Sequence, residues 1–429
     1  MIRSGKIRLL CLRSILLSIL LSIFLVSLPG MALAEDLVQS RVYGFLNAQI
    51  ERPWASGGAT PYQGRFRVTD GGSRIGFLGA VALGWNTSAL WQLEGALNGF
   101  EQGGLTDIGD HTSIVSRNSF VGVENLRLGR LVAGNNDSAY RRLIGSGGDM
   151  GGNLGLTSLG LDLWNNTSAQ LSGNGKSIFG RGEERYHNSV HYVSPAWHIH
   201  HSRSLIQVAA SYGFDEALAL AGKRDRFSVA ALYRIGNFSL GGAFDRQQNT
   251  GVNVDILQRG FGLTTDAENG VATYYYEASA SYRFRFGTYV GAGFERSNYG
   301  FMQLIPPTPT TFYAILNTGV MHQNGGMVSV AQVIRKATIM ASAGGIASLS
   351  NSIYGPGSEY RATQYSLGGK YAFNDHFGAY VYFTAIQNRP RQDVNLGAPI
   401  YSNNLGTAQA YLAPGDKPRT TGIGALVRF

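Results

Sequence analysis

The chain has 429 residues, a formal charge of +9, 58 glycines, 22 tyrosines, 21 phenylalanines and only 15% charged residues. It has no basic run interleaved with stacking aromatics, which argues against a nucleic-acid partner, and its single cysteine, Cys11, excludes a disulfide framework. Past the first 34 residues no stretch holds the ~18 consecutive apolar residues of a membrane helix, so high Gly and aromatic content at near-zero mean hydropathy points to the other spanning solution, an antiparallel β-barrel.

The N-terminus comes first. Arg3, Lys6, Arg8 and Arg13 precede an apolar run from Ile15 to Leu28, Pro29-Gly30 breaks any helix, and Ala32-Leu33-Ala34 supplies small residues for cleavage. This reads as a secretory signal peptide over 1–34, cut after Ala34, followed by one barrel domain over 35–429. Removing it takes away four of the 36 basic residues and none of the 27 acidic ones, so the charge falls to +5 over 395 residues.

Period-two patterns then recur along the chain. Ala89, Trp91, Leu93, Gly95 and Leu97 alternate with Leu90, Gln92, Glu94, Ala96 and Asn98, which turns Glu94 away from the greasy face. Ile206 to Tyr212 and Tyr365 to Tyr371 repeat the pattern more weakly. The clearest strand is Thr273 to Phe286. Tyr274, Tyr276, Ala278, Ala280, Tyr282, Phe284 and Phe286 lie on one face, and Thr273, Tyr275, Glu277, Ser279, Ser281, Arg283 and Arg285 on the other. Aromatics at both ends of the greasy face match the two interfacial girdles of a membrane barrel. Short breaks such as Ile235-Gly236-Asn237 and Phe373 to His376 read as turns, and the longer polar stretch Gln387 to Thr420 as a loop. Ile423, Ala425, Val427 and Phe429 share a face of a final strand, as a closing strand requires.

Other chemistry finds little support. His198-Ile199-His200-His201 reads as a turn between strands, lacking a carboxylate or third ligand at useful spacing. No G-x-S-x-G elbow or phosphate-cradling glycine loop is present, so neither an enzyme nor a cofactor is expected.

In order, Val42-Tyr43-Gly44-Phe45, Ser73-Arg74-Ile75-Gly76, Gln92-Leu93-Glu94, Arg117 to Val123, Leu128-Gly129-Arg130, Arg185 to Pro195 and a terminal Phe429 resemble the general trimeric porins of Gram-negative outer membranes, β-proteobacterial type. The resemblance implies a 16-stranded barrel with an inward-folded third loop, here about Gly145 to Gly180. It also implies a homotrimer in contact with outer-membrane lipid and lipopolysaccharide, assembled by the barrel-assembly machinery, with Phe429 as assembly signal. The expected activity is passive diffusion of small polar solutes and ions. Matched residue by residue, Arg74, Arg117 and Arg185 fall on the basic wall of the constriction, with Arg130 a further candidate and Arg141-Arg142 either lumen or loop base. Asp149 (or Asp162) and Glu94 are the candidates for its acidic side. Alternation agrees at Arg185, which would share a face with His187, Ser189 and His191; at Arg117 it is untidy, since Val121 and Val123 share its face. The apolar Gly79 to Gly84 replaces the family's acidic hairpin, and Asp149-Met-Gly-Gly152 departs from its acidic loop motif. A mildly anion-preferring diffusion pore is the leading reading; a substrate-specific porin (sugar, phosphate or carboxylate) and a non-conducting structural or adhesive barrel remain open.

Overall fold

In lipid every backbone donor and acceptor must find a partner within the protein, and a sheet achieves this only by closing on itself. The computed structural model describes residues 38–58, 61–97, 114–144, 178–199, 204–214, 225–248, 271–305, 315–397 and 412–429. The signal peptide expected over 1–34 lies outside them. Contacts separate Met1–Val38 from a second unit, Gln39–Phe429, which holds the barrel.

Its strands run in chain order as β1 (Val38–Ser56), β2 (Arg67–Asp70), β3 (Arg74–Gly84), β4 (Thr87–Leu97), β5 (Ile114–Asn125) and β6 (Gly129–Asp137). After helix α1 (Ala139–Ile144) come β7 (Arg185–Val193), β8 (Trp197–Ile199), β9 (Ser204–Gly213), β10 (Arg226–Ile235), β11 (Phe238–Gln248) and β12 (Ala272–Arg283). Then follow β13 (Thr288–Ile305), β14 (Ile315–Ile334), β15 (Ala337–Ile346), β16 (Ala362–Ala372), β17 (Phe377–Asn388) and β18 (Lys417–Arg428). β2 and β3 both pair with β1, and β7 and β8 both pair with β9, so each pair is one interrupted stave. The eighteen segments therefore make a closed antiparallel barrel of 16 strands.

Closure is completed by β1 and β18, paired from Phe45–Arg428 to Ser56–Lys417. Gly44 and Phe429 extend the ladder, each backbone N–H donating to the other's carbonyl at 2.8 and 3.1 Å. The Phe429 ring lies over Gly44, where a Cβ would stand 2.1 Å from it, so an aromatic covers the glycine at the seam.

The two faces carry opposite chemistry. Ile50, Phe77, Leu93, Val121, Phe294, Ile339, Val381 and Ile423 are exposed on the outside, while Asn47, Gln49, Glu51, Asp245, Glu277, Glu295 and Thr384 are buried within. This is a soluble protein's pattern turned inside out, as lipid outside and water inside require. In β12, Thr273, Tyr275, Glu277 and Ser279 are buried and Tyr276 and Tyr282 exposed, as the alternation predicts. The strand ends at Arg283, because the chain turns through Phe284 to Gly287, where Gly287 takes φ +90°. The predicted loop over 387–420 is likewise trimmed at both ends, with β17 reaching Asn388 and β18 starting at Lys417.

Short turns, such as Trp85-Asn86, Gly236-Asn237 and Arg335-Lys336, lie at one end of the barrel; the long connections, among them 138–184, lie at the other. Short turns mark the periplasmic end and long loops the extracellular end.

Candidate functional site

The described ends of the third long connection, 138–144 and 178–184, turn into the barrel. At its start Tyr140 and Leu143 of α1 are fully buried, and at its return Ile178 and Phe179 are too. Tyr140 donates its backbone N–H to Ser228 Oγ at 2.8 Å and its hydroxyl to Glu295 at 2.9 Å. Arg181 is the main anchor. Its Nε bonds Glu295 at 2.8 Å, Nη1 reaches Tyr299 at 2.9 Å and Gln323 at 2.7 Å, and Nη2 reaches the Gln323 carbonyl at 3.1 Å. Gln323 passes the load on, donating to the carbonyls of Ala347 and Tyr360. The loop lies close against β14 and β15 because Gly325 and Gly344 have no side chain: a Cβ on Gly344 would meet Ile178 at 2.9 Å. The loop thus springs from β6 and is pinned against β13 to β15.

The basic side chains stand on β3, β5 and β7, beside the described ends of this loop. Two β-bulges place it. Leu93 pairs with Ser119 and Gly95 with Ser116, so Arg117 and Asn118 together oppose Glu94. The extra residue flips the strand's phase: Val121 stays outside while Arg117 turns in, which resolves the untidy alternation. A second slip lies between Gly134–Ser189 and Asn136–Tyr186, with Asn188 at φ +43°. The alternation expected through Arg185 breaks there. Ser189 and His191 are buried as expected, but His187 is exposed, and Tyr186 is buried with its hydroxyl on Asp245. Arg185 joins the site through its bonds.

Glu94 accepts from Arg117 Nε at 2.7 Å and from the Tyr43 hydroxyl at 2.8 Å, with Arg74 Nε at 3.8 Å. Tyr43 lies over Gly76, whose missing Cβ leaves room for the ring. Arg185 Nε donates to Asn118 at 2.6 Å, and its Nη2 stands 3.0 Å from Asp137. Asp137 also takes Arg141 at 2.8 Å, and Arg141 reaches Glu183 at 3.2 Å. Burial pulls the Arg141 pKa down, but Glu183 and Asp137 outweigh it and hold the group above its ordinary range. Arg142 donates to the Asp137 carbonyl at 3.1 Å. Arg226 takes up the neighbouring Glu184. Five guanidinium groups (Arg74, Arg117, Arg141, Arg142, Arg185) therefore meet four carboxylates (Glu94, Asp137, Glu183 and, beside Arg117, Asp70), an excess of one positive charge among the described residues. The side chains of Arg74, Arg117 and Arg185 keep 13%, 18% and 16% exposure, so they still meet solvent.

Three expectations fare differently. Arg130 is not part of this cluster: it sits just past the short turn at 126–128 and pairs with Glu124 at 3.1 Å, seven residues down β6 from Asp137. Glu94 points inward as expected but stands between the arginines on the same wall rather than across from them. Asp149 and Asp162 lie outside the described residues, as do His200 and His201. Sequence reasoning missed Asp137, Asn118 and Glu183 beside the arginines, and the anchors Arg181 and Glu295. Glu295 was accessible from the alternation Gly291, Gly293, Glu295, Ser297; Arg181 carried no local signal.

A family model for Gram-negative porins matches residues 21–391, so the chain belongs to that family. No curated sequence matches it significantly. Among solved structures, an anion-selective porin from Comamonas acidovorans superposes with a TM-score of 0.62 at 14% identity, covering 91% of this chain and all of that one. OmpT of Vibrio cholerae in a trimer form gives 0.57 at 15%, covering 92% of this chain and all of OmpT. OmpF of Salmonella typhi gives 0.53 at 13%, covering 93% of this chain and all of OmpF. At these identities the likeness concerns the fold. The protein is an outer-membrane β-barrel porin, a channel for passive diffusion of small hydrophilic solutes and ions; family and fold are those of channels rather than enzymes.

Proposed function

We propose that the channel is a general diffusion pore with a mild preference for anions, set where the arginines of β3, β5 and β7 face the third loop. The observation that carries this reading is the excess of guanidinium over carboxylate at Arg74, Arg117, Arg141, Arg142 and Arg185. A net positive patch in a narrow lumen with low-dielectric walls focuses its field and concentrates counter-ions. The preference is mild because Glu94 and Asp137 neutralise part of the patch. The Comamonas neighbour's description as anion-selective agrees. A sugar-specific slide gains no support from Tyr43, Tyr380 and Tyr382, whose hydroxyls are committed to Glu94, to Asn47 and Gln49, and to Glu51.

The same reading takes the protein as a homotrimer, in line with the trimeric OmpT neighbour, exported by cleavage after Ala34, seated among lipopolysaccharide and assembled through recognition of Phe429. The test is a planar-bilayer recording across a KCl gradient. Chloride should carry more of the current, and the bias should fade as the Debye length falls from ~10 Å at 0.1 M to ~3 Å at 1 M salt. A potassium preference, or a bias indifferent to salt, contradicts the proposal.

A further inference from the structure

We propose that the extracellular end of β16 to β18 carries a binding pocket for phosphate groups, built by Arg361, Arg389 and Lys417. The pocket begins as a defect in the sheet. β18 stays on β1 as far as Ser56–Lys417 but leaves β17 at Ala385–Arg419. Pro418 has no N–H to offer a ladder, and above it the two strands part. Asn388 bridges the opening by donating to the Asp416 carbonyl at 2.8 Å. The resulting wedge has a volume of about 560 Å³ and is lined by Arg361, Arg389 and Lys417 together with Gln387, Pro390 and Gly415.

Its charge is one-sided. Among the described residues no carboxylate bonds any of the three cations. Glu359, the nearest candidate in sequence, is taken by Arg391 at 2.6 Å. Asp416 is fully buried, with its carboxylate beneath Gly58. Three uncompensated basic side chains around a concave opening suit a ligand with more than one anionic oxygen, and guanidinium forks match phosphate geometry.

Position narrows the source. Arg361, Arg389 and Lys417 continue the outward-facing series of their strands, in step with the exposed Tyr365, Phe383 and Ile423. Trp54 and Phe383, with ring centroids 6.4 Å apart, belong to the aromatic level on that side. At ~3.3 Å per residue and a strand tilt near 40°, the three cations stand roughly 5–15 Å beyond it. That is the height of the polar headgroups of the outer leaflet, so the phosphates of a glycolipid are the natural source. The inference deepens the proposal that lipopolysaccharide is a partner and is independent of the ion preference of the lumen.

The experiment uses the purified full-length porin in its native oligomer and the triple variant R361Q/R389Q/K417Q, whose changes lie on the solvated rim. Native mass spectrometry would count bound bisphosphorylated lipid A after delipidation and titration, beside fully dephosphorylated lipid A and inorganic pyrophosphate. Each basic side chain near an anionic surface contributes about a fivefold factor, so the triple variant should bind bisphosphorylated lipid A about 100-fold more weakly. Wild-type affinity should fall comparably when the phosphates are removed. Pyrophosphate binding that the variant loses, without lipid A binding, would keep the phosphate pocket and assign it to soluble phosphates. Equal lipid A binding by wild type and variant, or indifference to the phosphates, overturns the proposal. Unchanged melting of the delipidated variant and an unchanged reversal potential separate this result from misfolding and from failure of the pore reading.

Discussion

Replacing Arg181 by methionine should loosen the third loop without altering the barrel. The change removes four side-chain hydrogen bonds, to Glu295, Tyr299 and twice to Gln323, and leaves the fully buried Glu295 carboxylate without its cation. It retains the bonds to Glu295 from the Arg181 backbone N–H at 2.8 Å and the Tyr140 hydroxyl at 2.9 Å. Breaking one half of a buried pair costs about 3–5 kcal/mol. Because that cost falls on the docked loop, the docking equilibrium should weaken by roughly a hundredfold to several thousandfold. Single-channel recording is the assay. Wild-type openings should be steady, whereas R181M should flicker between the wild-type level and others and melt at a lower temperature in detergent. Adding E295Q removes the stranded charge, so R181M/E295Q should flicker less and melt closer to wild type. Steady wild-type conductance and unchanged melting in R181M would refute the anchoring role.

Three further outcomes follow from the same geometry. Glu94→Gln keeps the side chain's size but removes the carboxylate between Arg74 and Arg117, so the reversal potential across a KCl gradient should move further toward chloride. Deleting Phe429 removes both the Gly44 pairing and the ring over that glycine; outer-membrane levels on immunoblots should fall and periplasmic fragments rise, and unchanged levels would contradict a role in assembly. Unheated samples should run on gels at roughly three times the mass of heated ones, and a monomer-sized band under mild conditions would contradict the trimer.

The fold was legible because lipid on one side and water on the other impose period-two alternation, and β12 and β18 obey it. Legibility failed where the alternation is broken on purpose. The bulge at Arg117-Asn118 lies in Ser116-Arg-Asn-Ser119, which contains no glycine to announce it; its effect is visible only from the register against β4. The slip at His187-Asn188 is equally silent, so the face expected of Arg185 was right for Ser189 and His191 and wrong for His187 and Tyr186. Arg130 lies apart from the cluster, and its position carried a clue: it follows a short turn closely, which puts it near the periplasmic end. The loop anchors are a different limit. Arg181 and Glu295 are 114 residues apart, and only the closed barrel brings them together.

The reversal potentials of the single variants R74S, R117S and R185S, set beside wild type in a KCl gradient at ~0.1 M salt, bear most directly on the proposed pore. Each removes one positive charge from the arginine cluster and shortens a side chain that still meets solvent. Conductance should hold or rise while the reversal potential moves toward potassium, with R117S and R185S, whose carboxylates Glu94 and Asp137 lie within 3.0 Å, exposing those acids to the lumen. Reversal potentials equal to wild type in all three variants would contradict the account and place these arginines outside the ion path.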